Sequence, residues 1–409
     1  MERNPTLFGY GKTTQAIARL LGPSTFYDDN VHKPFTDKFG NHLKPSSEFD
    51  PRYSTLEIPS PGMPPHHPLI KAANHLISEY DLFLSTDSPF ATAPLPFNIW
   101  ISGTNGKTTT TQMMAHLLED KGALAGGNIG TPLAALDKDA PIWILETSSF
   151  TLHYTHSAKP DIYALLPISP DHLSWHGDMD AYIDAKLKPL QTMREGEAII
   201  LPNHFINRKT AGFLIGYDNA YDLAKYFDID TEKVDFKGGF LLDAILAMGV
   251  DKILYDRIDY ERINTFTLDP HRQEAFKDAQ GRLWVNDTKA TNIDATLAAL
   301  EAYAGHKIHL ILGGDDKGVE LSPLFDAMKD YDLIIYTIGS NEERLTEMAK
   351  HYDLPCQACS VLDKAVEMIA KKHTHNSVAM LSPAAASLDQ FSSYAERGEN
   401  FKEFVSMLS

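Results

Sequence analysis

Short apolar runs alternate along this chain with segments whose apolar residues recur every three or four positions, the signature of buried strands interleaved with amphipathic helices. Residues 6–8 predict a strand, Gly9 and Gly11 a turn, and Ala16, Ile17, Leu20 and Leu21 one face of a helix. A second helical pattern spans about 69–77, and this opening segment closes near residue 86. Residues 87–96 (DSPFATAPLP) hold three prolines and no periodicity, so they read as a linker. Beyond it, residues 97–101 predict a buried strand and 102–106 a glycine-containing loop. Lys107 then starts a helix with Met113, Met114, Leu117 and Leu118 on one face. Two more apolar strands, 142–145 and 162–168, each run into a polar cluster. Between about 200 and 265 the one clear pattern is a helical stretch with Leu242, Ile245, Leu246 and Met248, behind Gly238 and Gly239. Strands at 283–285, 309–312, 333–338 and 378–381 then alternate with helices. The expected fold class is α/β in three domains, at 1–90, 91–268 and 269–409. The first and last are Rossmann-like, and the central one is of P-loop type with a mostly parallel sheet.

Composition narrows the function. With 409 residues, 43% apolar and 22% charged, the chain can fill several cores and is neither disordered nor fibrous. Thirty-seven Lys and Arg against 55 Asp and Glu give a net charge of −18, a field that repels nucleic acid and anionic membranes. Any phosphate site must therefore create its own local positive charge. The two cysteines, Cys356 and Cys359, cannot build a disulfide framework, and their CxxC lacks a second pair to complete a zinc site. Free structural thiols in a reducing compartment are expected. No basic segment followed by an apolar one opens the chain, and no run of about 18 apolar residues occurs, so a cytoplasmic protein is expected.

The sharpest chemistry lies in residues 102–109, SGTNGKTT. Ile101 stands where the general P-loop pattern wants a glycine, but the working part is present. Gly103 and Gly106 let backbone N–H groups approach phosphate, Lys107 meets the terminal phosphates, and the Thr108 hydroxyl can ligate Mg²⁺. A helix N-terminus favours an anion by about 0.3–1 kcal/mol when exposed, so lysine and metal must do most of the work. Glu146 ends an apolar strand and suits a hard cation, although a strand-end glutamate is as often simply solvated. His172, in Ser-Pro-Asp-His, reads as a satisfied loop histidine or as a ligand, and Lys186 as a solvated helix lysine. In the last third, residues 286–292 (NDTKATN) and 313–317 (GGDDK) each put a lysine at a strand end. Residues 381–391 (LSPAAASLDQF) read as a strand, a small-residue turn and a helix start. The backbone N–H groups of Ser387 and Leu388 are offered there to a carboxylate, or the small residues serve close helix packing.

In order along the chain, these motifs resemble the Mur ligases, and most closely the branch of that family that adds D-glutamate. The resemblance rests on residues 103–108, 126–130 (GGNIG), 145–150 (LETSSF), Asp171-His172, 185–187 (AKL), His271-Arg272, 286–292, 312–317, 381–391 and Arg397-Gly398. It implies a UDP-sugar domain, a central ATPase and an amino-acid domain that close together over substrates. It implies ATP and Mg²⁺ as cofactors, UDP-N-acetylmuramoyl-L-alanine and D-glutamate as substrates, an acyl-phosphate intermediate, and a monomer without nucleic-acid or membrane partners. By resemblance Gly103, Thr104, Asn105, Gly106, Lys107, Thr108, Thr109, Arg272 and Asp287 bind ATP, with Lys107 on the γ-phosphate. Thr108 and Glu146 hold one Mg²⁺, and His172 with a carbamylated Lys186 a second. Lys107, His172 and Lys186 form the catalytic set. Gly11, Thr13, Ser60, Pro61, Gly62, Asn128, Ser148 and Phe150 line the UDP substrate, and Lys289, Thr291, Lys317, Ser387 and Leu388 the D-glutamate. The DNPR motif of the diaminopimelate-adding branch is missing, which favours glutamate. Asp243 stands where family members usually carry an HNxxN motif for the nucleotide. Two rivals remain at this stage: a folylpolyglutamate synthase of the same architecture, and a regulatory protein that binds nucleotide without turnover.

Overall fold

The structure is a computed structural model and describes residues 5–408 apart from Thr92, Ala93, Ile129 and Lys317. The expected D-glutamate contact at Lys317 lies outside the described residues, as does part of the 87–96 linker. The chain divides into two units, residues 1–235 with 241–266, and residues 236–240 with 267–409.

The first unit carries two sheets. In one, β1 (Thr6–Phe8), β2 (Thr25–Asp28), β3 (Phe35–Thr36), β4 (His42–Pro45) and β5 (Glu57–Pro59) run in the order β3-β4-β2-β1-β5. All pair in parallel except β3 with β4. The 69–77 helix is shorter than its pattern predicts: it spans Pro68–Ala72 and stops where Ala73 turns extended. The cause lies across the sheet. Glu57 at the start of β5 receives the His75 backbone N–H on its carboxylate (2.7 Å) and the Ile77 N–H on its carbonyl (3.0 Å), which draws residues 74–77 out of helical geometry. A helix absent from the sequence pattern, Glu79–Leu84, follows behind a Ser78 cap.

The second sheet holds β6 (Phe97–Ser102), β7 (Ala123–Gly127), β8 (Ile142–Glu146), β9 (Ile162–Leu165), β10 (Ala198–Pro202) and β11 (Phe213–Tyr217), in the order β11-β10-β9-β6-β8-β7. Every pair is parallel. The chain leaves β6 toward β7 and β8 on one side and returns to β9 on the other, so the carboxyl end of β6 sits at a switch point, where open α/β sheets bind ligands. The helix Lys107–Leu117 packs back on the sheet with Met113, Met114, Leu117 and Leu118 fully buried. One apolar core runs through both sheets, from Leu7, Phe26 and Ile58 to Trp100, Leu145 and Tyr163.

In the second unit, β12 (Glu274–Lys277), β13 (Leu283–Asn286), β14 (Lys307–Gly313), β15 (Leu333–Ile338), β16 (Cys356–Ser360) and β17 (Ser377–Leu381) run in the order β12-β13-β17-β14-β15-β16. Only β12 with β13 is antiparallel. Both cysteine thiols, on β16, are free. The helix start expected within 381–391 is instead a turn, closed by Gln390 and Phe391 N–H groups on the Ser387 carbonyl (3.1 and 2.8 Å). The helix proper is Tyr394–Ser406, because Ser393 is extended and its hydroxyl caps the Glu396 N–H. The protein is thus mixed α/β with mostly parallel sheets. Among the described residues no helix is long and apolar enough to cross a membrane.

Candidate active site

The loop after β6 turns on two glycines in left-handed backbone, Gly103 (φ 137°) and Gly106 (φ 83°). A Cβ on Gly103 would lie 3.1 Å from the Leu166 carbonyl oxygen, and one on Gly106 2.5 Å from Asp243 Oδ1, so both positions need the bare backbone. Gly106 caps the helix that begins at Lys107, which leaves that helix's first N–H groups for the loop's mouth. Lys107 Nζ curls over the loop to the carbonyls of Gly103 (3.0 Å) and Thr104 (2.8 Å).

Around this loop the carboxyl ends of β6 and β8 bring together residues far apart in sequence. Glu146, buried at the end of β8, accepts from Thr108 Oγ1 on Oε2 and from Asn128 Nδ2 on Oε1, both at 2.8 Å. Lys186, 1% exposed, donates to the Gly103 carbonyl at 2.6 Å and lies over the Tyr182 ring. Burial first and the neighbouring Lys107 second hold its amine well below the usual lysine range, against the opposing pull of Asp171 and Glu146. That is the opposite of the solvated lysine its local pattern suggests. His172 is half exposed, with a left-handed backbone (φ 55°), its Nε2 3.3 Å from Asp171 Oδ2 and its ring edge-on to Phe150 at 4.7 Å.

The polar groups expected along a sugar nucleotide divide between two places. Ser60 packs against the glycine turn after β1, where a Cβ on Gly11 would meet its Oγ at 3.0 Å. Thr13 sits in the first turn of the helix Lys12–Leu21 that Gly11 caps. The Gly62 carbonyl accepts from Trp175 Nε1 (3.0 Å), and the Trp175 ring lies tilted against Phe150 at 4.5 Å, so residues 60–62 reach the Phe150 side of the loop cluster. Pro61 lies in the turn between them. Ser148 is taken up as the cap of the helix Ser149–Tyr154, accepting from the Thr151 N–H.

Sequence reasoning missed two groups here. His176 sits among Phe150, Trp175 and Tyr182 with Nε2 3.0 Å from Ser149 Oγ, and burial pushes it down to about 4, so it is neutral at physiological pH. Asp243 lies behind Gly106 and accepts from Thr110 Oγ1 at 2.8 Å. Its place in a divergent motif was visible, but not its reach to the loop.

In the second unit the carboxyl ends of β13, β14 and β17 gather the remaining candidates. Asp287 is buried, accepting from Ser382 Oγ (2.7 Å) and the Gln273 N–H (3.1 Å), and burial pushes it up to about 7. Arg272 faces it with a buried Nε–H that has no hydrogen-bond partner among the described residues, a donor suited to an oxyanion. Lys289 lies over the Tyr394 ring at 5.0 Å, Thr291 is exposed, Ser387 is buried and the Leu388 side chain is exposed.

Residues 101–212 match the Mur ligase middle domain, and residues 271–385 the Mur ligase, glutamate ligase domain. A UDP-N-acetylmuramoylalanine--D-glutamate ligase of Campylobacter jejuni is 54% identical over 407 residues, covering 98% of this chain and 99% of that protein. This chain belongs to the Mur ligase family. A Helicobacter pylori protein of the same name is 47% identical with the same coverage. Among solved Mur ligases, MurF from Thermotoga maritima in complex with ADP superposes with a TM-score of 0.59 at 15% identity, covering 94% of both chains. MurC from Thermotoga maritima does so at 0.55 and 14%, covering 98% of both. At that identity the Mur ligase structures attest the α/β fold.

Proposed function

We propose that this chain is the ATP-dependent ligase that joins D-glutamate to UDP-N-acetylmuramoyl-L-alanine, a step of peptidoglycan synthesis. The observation that carries this reading is the full-length 54% identity to a D-glutamate ligase, on a chain that gathers Lys107, Thr108, Glu146 and Lys186 around its β6 loop. We assign three domains at 1–90, 91–268 and 269–409, taking the UDP sugar, ATP and amino acid respectively, in a monomer of the cytoplasm.

The chemistry asks mainly for positioning and charge neutralisation. The L-alanyl carboxylate attacks the γ-phosphorus of ATP, ADP leaves, and an acyl phosphate results. The amine of D-glutamate then attacks the acyl carbon, loses a proton, and the C–O bond to phosphate breaks to give amide and inorganic phosphate. Gly103 to Thr109 cradle the triphosphate by backbone N–H groups, with Lys107 on the γ-phosphate. Arg272 and Asp287 are assigned to ATP, the unpartnered Arg272 Nε–H fitting a phosphate oxygen. Gly11, Thr13 and residues 60–62 take the uridine diphosphate end, and Asn128, Ser148 and Phe150 the sugar and peptide. Lys289, Thr291, Lys317, Ser387 and Leu388 take D-glutamate, a dicarboxylate suited to lysines and backbone donors.

A Mg²⁺ ion fits beside Glu146: a buried carboxylate and the Thr108 hydroxyl are hard oxygen donors, and Mg²⁺ uses few protein ligands when phosphates supply the rest. When bound, it would neutralise charge on the transferring phosphoryl group. A second ion would use His172 and Lys186. The buried Lys186 amine is held toward its neutral, nucleophilic form, which suits reaction with carbon dioxide to a carbamate and a released proton.

Phosphate release from MgATP and UDP-N-acetylmuramoyl-L-alanine, with D-glutamate, L-glutamate or no amino acid added, tests the reading. Release only with D-glutamate, and the product mass to match, is expected. ATP binding without release in any arm would replace it by a regulatory nucleotide-binding role.

A further inference from the structure

Arg397 is 1% exposed, which is unusual for an arginine, and it bonds to three loops that lead into the candidate amino-acid residues. Its Nε donates to Thr288 Oγ1 (2.8 Å), and Nη2 donates to the carbonyls of Thr288 and Ala385 (both 3.0 Å). Nη1 reaches the carbonyls of Gly313 and Ala386 at 3.4 Å. Thr288 leads into Lys289 and Thr291, Gly313 opens the 313–316 loop, and Ala385 and Ala386 lead into Ser387 and Leu388. The Thr288 hydroxyl in turn donates to the Tyr394 carbonyl (3.1 Å), and the Tyr394 hydroxyl lies 3.4 Å from Lys289 Nζ. One guanidinium thus ties together the ends of three strands.

Among the described residues no carboxylate lies within ion-pair distance of Arg397, and its partners are carbonyls and one hydroxyl. Burial lowers it to about 10, with Asp389 nearby opposing the fall, so it stays protonated at physiological pH. Gly314 is the close neighbour that makes room: a Cβ there would sit 3.2 Å from Nη1. A buried cation held by neutral oxygens, without a direct carboxylate partner, is costly for a fold to keep, and is kept here where three loops meet.

We propose that Arg397 is the positioning residue of the amino-acid site: it holds the 286–292, 313–316 and 385–389 loops in one register and gives that end of the sheet a buried positive charge, only partly offset by Asp389, for a dicarboxylate. This rests on the D-glutamate reading above. Arg397 acts through the loops, so its loss weakens the amino-acid substrate far more than ATP or the UDP sugar. A lysine, with a point charge and no planar fork, restores charge without the geometry.

The test is steady-state kinetics of wild type, Arg397→Lys and Thr288→Val, each checked for folding by thermal melt. Thr288→Val removes one acceptor and leaves the charge in place, so it decides the matter if Arg397→Lys does not fold. The expected result is a KM for D-glutamate raised about tenfold or more, consistent with loss of hydrogen bonds to a charged group, with KM for ATP and for the UDP sugar changed less than about threefold. A folded variant in which D-glutamate KM stays within about twofold of wild type, or in which all three KM values rise together, overturns the proposal. Failure of the wild-type enzyme to use D-glutamate at all would instead overturn the functional reading, and is seen in the same assay before any variant is compared.

Discussion

The Thr110 hydroxyl donates to Asp243 Oδ1 at 2.8 Å, from the second turn of the Lys107 helix to a helix far along the chain. Asp243 thereby stands directly behind Gly106, where a side chain would meet its carboxylate at 2.5 Å. Two separate penalties then fall on Gly106→Ala: left-handed backbone, about 1–2 kcal/mol for a residue with a Cβ, and the clash with Asp243. Removing the carboxylate leaves the first, beside a milder 3.3 Å approach to Leu166 Cδ1. Urea unfolding of Gly106→Ala, Asp243→Ala and the double variant should show strong non-additivity, with Gly106→Ala costing about 3 kcal/mol or more alone and about 1–2 kcal/mol in the Asp243→Ala background. Additive costs within about 0.5 kcal/mol would mean that the two residues are not in contact.

Lys186 tests whether its burial serves chemistry or packing. Exchange of a buried ionisable group for an apolar chain of similar length is often neutral or stabilising, so Lys186→Met should melt at or above the wild-type temperature. Turnover should nevertheless fall by about 10²–10³, because the group next to the phosphate loop is lost. Lys186→Arg should not restore it, since a guanidinium is always charged and forms no carbamate. Phosphate release and a thermal melt on the same preparations settle the matter, and full activity in Lys186→Met would rule out the carbamate.

Glu146 holds the β6 loop and the residue after β7 at once, through Thr108 and Asn128. Glu146→Gln keeps the shape but must turn its amide nitrogen toward one of two donors, and it gives up the negative charge a divalent ion needs. The expected outcome is a steep rise in the Mg²⁺ concentration needed for half-maximal turnover, by about tenfold or more, with little change in melting temperature. An unchanged Mg²⁺ dependence would remove Glu146 from the metal site.

How much of this was legible in the sequence depends on how local the cause is. The β6 strand, its glycine loop and the Met113, Met114, Leu117 face were readable because strand period, left-handed turns and helix period are all set within a few residues. The short strands β2, β4 and β5 were not, since three or four residues carry no period. The helix at 69–77 failed because Glu57, remote in sequence, competes for the backbone of residues 75 and 77. Site residues followed the same rule. Lys107 and Thr108 announce themselves by their neighbours. Lys186 looks like a surface lysine until β6 is packed against its helix, and Arg397 shows its role only once three distant loops meet around it.

Buried carboxylates give a pH signature that can be located. Burial pushes Glu79 up from an ordinary 4.5 to about 7, although its Oε1 accepts the Ala134 N–H at 3.1 Å, and Asp287 rises from 3.8 to about 7 for the same reason. A folded pKa above the unfolded one means that the native state binds more protons between the two values, so stability falls as pH rises from about 4 to about 7 and then levels. Taking 1.36 kcal/mol per unit, the shift sets an upper limit of roughly 3 kcal/mol for Glu79 and roughly 4 kcal/mol for Asp287. Glu79→Gln and Asp287→Asn have no such proton to lose. Their stability relative to wild type should therefore climb across that window and stay constant above about pH 7.5. Because Glu79 lies in the first unit and Asp287 in the second, each variant should act on the unfolding of its own unit. Urea titrations at several pH values between 4 and 8 read the effect directly. Curves for variant and wild type that run parallel over the whole range would show that the carboxylate is already ionised in the fold.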